Sequence, residues 1–74
     1  MCLAIPAQII AVAEKGGWRS ATVTVAGAER SVDLSLVPEA AVGDFIVVHS
    51  GYAITIESRE RALETLGLLG IDPD

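Results

Sequence analysis

Arg19-Ser20-Ala21-Thr22-Val23-Thr24-Val25-Ala26-Gly27-Ala28-Glu29-Arg30-Ser31-Val32-Asp33-Leu34-Ser35-Leu36-Val37 is the stretch that decides the fold. From Arg19 to Val25 apolar and polar residues alternate, with Ala21, Val23 and Val25 on one face and Ser20, Thr22 and Thr24 on the other. Period two is the signature of a half-buried strand. Ala26-Gly27-Ala28-Glu29 supplies turn chemistry, and alternation resumes from Arg30 to Val37, with Val32, Leu34 and Leu36 expected inward and Ser31, Asp33 and Ser35 outward. Two alternating runs around a glycine turn predict a β-hairpin.

Working outward, the same pattern recurs on both sides. Upstream, Leu3 to Val12 is apolar on both faces at Ile9, Ile10, Ala11 and Val12, with Gln8 the one polar residue within that apolar run. Two apolar faces predict a strand buried on both sides. Pro6 fixes its own φ and pushes Ile5 toward extended geometry. Glu14-Lys15-Gly16-Gly17 is a turn, after which Trp18 either closes a barrel mouth or stays exposed. Downstream, Pro38 to Asp44 is a connection. Phe45 to Ser50 is a strand rich in β-branched residues, with Phe45, Val47 and His49 on one face, and Tyr52 to Ile56 resumes the pattern after Gly51. A glycine there marks a bulge, a tight turn or a close backbone approach.

At Ser58 the period changes. Ala62, Leu63, Leu66 and Leu69 fall at helical spacing, Ser58 is an N-cap, Glu60 suits the positive first turn, and Gly67 or Gly70 ends the helix. Glu57 and Arg61 are four apart and can pair. The expected architecture is mainly β: a small OB-like β-barrel of about five strands over residues 2–57, a C-terminal α-helix over 58–69, and a short acidic tail over 70–74, all in a single domain.

Composition narrows the function. The chain has 74 residues, a formal net charge of −5 and only five basic residues, spread along its length. Nucleic-acid binding needs a basic stripe and stacking aromatics, and Trp18, Phe45 and Tyr52 are the entire aromatic set. No apolar run approaches the ~18 residues of a membrane span. The single thiol, Cys2, makes no internal disulfide. With no secretory signal in the sequence, cytoplasmic localisation is expected.

The chemistry-bearing groups are few: Cys2, His49 and dispersed acids. A self-sufficient zinc or iron-sulfur site needs about four protein ligands, so any metal here is shared with another protein. Removal of Met1 would leave Cys2 with a free amine and a sulfur on one carbon skeleton, an N,S chelate. His49 reads either as a structural histidine bonded to backbone or as a functional one. A Cys2–His49 nucleophile pair is conceivable, but no loops of pocket size and no oxyanion hole accompany it.

Met1-Cys2-Leu3-Ala4-Ile5-Pro6-Ala7-Gln8-Ile9-Ile10 resembles the N-terminal signature of the HypC/HupF/HybG family of nickel-iron hydrogenase maturation chaperones. Arg30 to Val37 resembles that family's third-strand segment, and Gly43 to Ile54 resembles its G-D-hydrophobic-V-H-x-G-aromatic-A segment. The resemblance implies a scaffold and not an enzyme. It implies binding to HypD, an iron-sulfur partner on which iron acquires cyanide and carbon monoxide, and delivery of that iron group to the hydrogenase large-subunit precursor. Carried over by position, Cys2 and His49 are the implied iron contacts. Cys2, Leu3, Ile5, Pro6, Gln8, His49 and Gly51 are the implied partner-binding residues, with Pro6 and Gln8 shaping the presenting segment. Other readings of the same chain are a small-barrel subunit of an oligomeric shell, with Cys2 a bystander, and a small Cys/His thiol enzyme.

Overall fold

Three two-residue turns set the architecture. Gly16-Gly17 joins β1 (Pro6–Lys15) to β2 (Trp18–Val25), Ala26-Gly27 joins β2 to β3 (Ala28–Asp33), and Ser50-Gly51 joins β4 (Phe45–His49) to β5 (Tyr52–Glu57). All six turn residues have positive φ, including the non-glycines Ala26 and Ser50 at 53°. Such mirror-image turns match the twist of the strands they connect. The computed structural model describes residues 5–72, and the last element in it is helix α1 (Arg59–Leu69).

The strands close into a barrel in the order β1-β2-β3-β5-β4. Antiparallel pairing of Pro6 with Val47, Ala7 with Ile46 and Gln8 with Phe45 joins β1 to β4. On the far side a single parallel pairing, Asp33 with Tyr52, joins β3 to β5. Ala7, Ile9, Ala21, Val23, Val32, Leu34, Val37, Ala40, Ile46 and Ala53 fill the interior. A second cluster of Phe45, Ala62 and Leu66 lies between barrel and helix, with Ile5, Val25 and Ile71 packed against it. Successive residues of β4 therefore serve two cores, Ile46 the barrel and Phe45 the helix.

The expected barrel and helix are present, and four details differ. The first strand is not buried on both faces. Ile9 faces Val23 and Ala11 faces Thr22, so Ile10 is the extra residue of a β-bulge and is 42% exposed. Within the described residues β1 runs from Pro6 and continues to Lys15, beyond the expected end at Val12. The third strand ends at Asp33, not Val37. The Asp33 carboxylate accepts a 2.6 Å hydrogen bond from the Ser35 N–H, and Val37 N–H donates to Leu34 C=O. The chain therefore turns where alternation predicted extension, and Leu36, expected inward, is 63% exposed. Of the two readings of Trp18, the exposed one holds. On the helix only Ala62 and Leu66 are buried, while Leu63 and Leu69 are partly exposed.

The helix termini follow the sequence. The Ser58 hydroxyl accepts from the Arg61 N–H at 3.2 Å, and Gly70 ends the helix in the left-handed region. Glu57 and Arg61 pair at 3.8 Å. Ala26 N–H then donates to Asp72 C=O at 3.0 Å, tying the chain after the helix to the β2–β3 turn.

Candidate functional site

Three restraints fix the start of β1. Pro6 is fully buried and pairs with Val47, while Ile5 packs against the cluster beneath the helix. Beyond them, the connection before β4 grips the strand. Ile9 N–H donates to Asp44 C=O, Gly43 N–H donates to Ile9 C=O, both at 2.9 Å, and the Gln8 amide donates to Gly43 C=O at 3.3 Å. Asp44 in turn holds its own loop, its carboxylate accepting from Ala41 N–H at 2.9 Å. Whatever precedes Ile5 leaves from a strand clamped over four residues.

His49 is the last residue of β4, two beyond the Val47 that faces Pro6. Its position follows from the Ser50-Gly51 turn, which sets His49 directly across from Tyr52. His49 is exposed and, among the described residues, makes no hydrogen bond or ion pair. Gly51 contributes its backbone: at φ +83 it allows the turn, and its C=O accepts from Asp33 N–H at 2.9 Å. The Ser35 hydroxyl and then its N–H, both hydrogen-bonded to Asp33, hold that carboxyl below its usual value. An anionic group thus ends β3 beside the His49 turn.

The pairing register sets Ile5, Pro6 and His49 toward one end of the β1–β4 seam, with Gly51 in the turn just past His49, and Gln8 toward the other. Gln8 pairs with Phe45, four residues before His49. At ~3.4 Å per residue that is about 14 Å along β4, and what Gln8 does there is hold β1 to the connection at Gly43. Cys2 and Leu3 lie outside the described residues. Among the described residues no three His, Cys, Asp or Glu side chains converge on a metal-sized space, and no pocket indents the surface. Chemically the arrangement offers an exposed imidazole next to a tight turn, near the end of the seam where β1 starts.

Sequence reasoning missed two neighbours of this site. Asp33 was read as a solvated face residue and instead forms the turn that docks β3 against Gly51. Arg19 was read only as the start of a strand, yet its guanidinium donates to Pro38 C=O and, at 3.2 Å, to Ala40 C=O, with Glu14 at 3.7 Å. That fork pins the connection leading into β4. Its one advance signal was a long cation placed before an apolar alternating run.

Comparison with known proteins places this geometry. The chain is 40% identical over 68 residues to hydrogenase maturation factor HypC of Synechocystis sp., covering 89% of this chain and 90% of that one. It is 41% identical over 68 residues to HypC of Cupriavidus necator, covering 92% and 72% of the two chains. Hydrogenase maturation factor HybG of Escherichia coli is 34% identical over 73 residues, covering 93% and 88%. The model of the HupF/HypC family matches residues 1–69, a span that includes every strand and the helix, and the chain belongs to that family.

Proposed function

We propose that this protein is a cytoplasmic hydrogenase maturation chaperone. It binds a HypD-like iron-sulfur protein while an iron atom acquires cyanide and carbon monoxide, then carries the iron group to the precursor of the nickel-iron hydrogenase large subunit. The iron group is cargo, held by Cys2 together with ligands of the partner, with His49 beside it. It acts as a scaffold and not as a catalyst.

The observation that carries this reading is the open His49 imidazole at the edge where β1 begins. Cys2 stands three residues before Ile5, and at ~3.5 Å per residue such a tether reaches about 10 Å from a clamped point. A soft thiolate suits low-valent iron, and coordination deprotonates it. One or two ligands on a short tether are displaceable, which delivery requires. Four would retain the cargo.

Replacing Cys2 with Ala is expected to abolish hydrogenase maturation in the host while leaving the circular dichroism spectrum and thermal midpoint unchanged. Replacing His49 with Ala is expected to weaken cargo transfer without unfolding. Normal hydrogenase activity in the Cys2→Ala strain overturns the proposal.

A further inference from the structure

The barrel closes through one pairing on its β3 side, and that leaves an edge. Around the two-residue Ala26-Gly27 turn, Val25 and Ala28 form the hydrogen-bonded pair that flanks such hairpins. Hydrogen-bonded and open pairs alternate along an antiparallel ladder, so Arg30 bonds to Val23 and Val32 to Ala21. Glu29, Ser31 and Asp33 therefore turn their backbone groups away from β2. Asp33 shows that this parity is right, because its N–H donates outward to Gly51 C=O. Among the described residues nothing pairs with Glu29 or Ser31 on that side, and Ala28 to Ser31 are all exposed.

A second copy of the chain fits this edge badly. A residue with outward backbone groups can pair only with another such residue. Antiparallel self-pairing then sets Glu29 against Glu29, or Arg30 against Arg30, or Glu29 against Asp33 twice. Each places like charges directly opposite, which is destabilising. The one favourable match, Glu29 against Arg30, is forbidden by the parity. The edge is blocked to itself and open to a strand of complementary charge.

We propose that β3 takes an extended segment of the iron-sulfur partner by strand addition, with Lys or Arg opposite Glu29 and an adjacent Asp or Glu opposite Arg30. This rests on the proposed function for the partner's identity. Backbone hydrogen bonds at Glu29 and Ser31 supply the grip, and the Glu29-Arg30 pair supplies selectivity. The edge ends at Asp33, beside Gly51 and two residues from His49, so the added strand leads its own chain to the cargo site.

The test uses the purified HypD-like protein of the same host, with amide hydrogen exchange by NMR and calorimetry. Ser31→Pro removes an outward N–H without breaking a barrel bond, since proline is tolerated where that group faces solvent. Glu29→Lys alters only a side chain and covers the case in which the proline variant fails to fold. Complex formation is expected to slow exchange at Glu29 and Ser31, and each substitution to weaken binding about tenfold or more. If the wild-type complex forms with those two amides unprotected, or both folded variants bind as wild type does, the edge proposal is overturned while Cys2-dependent maturation still stands. If the wild type forms no complex at all, the partner reading fails and this occupant with it.

Discussion

Gly51 shows how much one residue settles. Its place between two β-branched runs marked a break in the sequence, and the structure resolves the break as a turn with φ +83 and open space around a would-be Cβ. The cost of a side chain there is purely backbone, so Gly51→Ala is expected to destabilise by about 1–2 kcal/mol in thermal or chemical unfolding. A change below measurement error contradicts the turn. Asp33 was less legible, because nothing in an alternating pattern says that an acid will bond two residues ahead and stop the strand. Its carboxyl is held below the ordinary value of about 3.9 by Ser35. Stability linked to this group is therefore present above that value and lost as pH falls through the lower folded pKa. Ser35→Ala is expected to move the Asp33 titration upward, read by carboxyl carbon NMR, and an unchanged titration contradicts the assignment.

At the scale of elements, the helix and the hairpins were readable because period and turn residues agree. Ser58, Glu60 and Gly70 mark the ends of α1, and Gly16-Gly17 and Ala26-Gly27 mark two turns. The bulges were not readable. Ile9-Ile10 reads as continuously apolar and Ile54-Thr55-Ile56 as plain alternation, yet Ile10 and Ile54 are each the unpaired extra residue and both face solvent. A slip of one residue exchanges the faces, and only the partner strand reveals it. The helix matters to the site through Leu66, which is 1% exposed and shares a cluster with Phe45 and Ile5. Leu66→Ala is expected to cost about 2–4 kcal/mol and to speed amide exchange at the start of β1, coupling helix packing to that strand. Unchanged exchange there contradicts that coupling.

For the molecule as a whole, the candidate site was half legible. Gly51 stood out as a break in the strand pattern, while His49 as a site residue and the stretch from Met1 to Ile10 were pointed to by the family resemblance. The resemblance also named Gln8, but how it holds β1, opposite Phe45 and bonded to Gly43, emerged only with the pairing register, as did the open edge of β3. The barrel clamps the start of β1 through Ile5, Pro6, Gln8 and Ile9. The most direct measurement is infrared spectroscopy of the anaerobically isolated complex with the iron-sulfur partner, comparing wild type with Cys2→Ala. Cyanide and carbon monoxide bands are expected to travel with the wild-type chain and to vanish from a folded Cys2→Ala chain. Bands of equal strength on both would contradict that expectation.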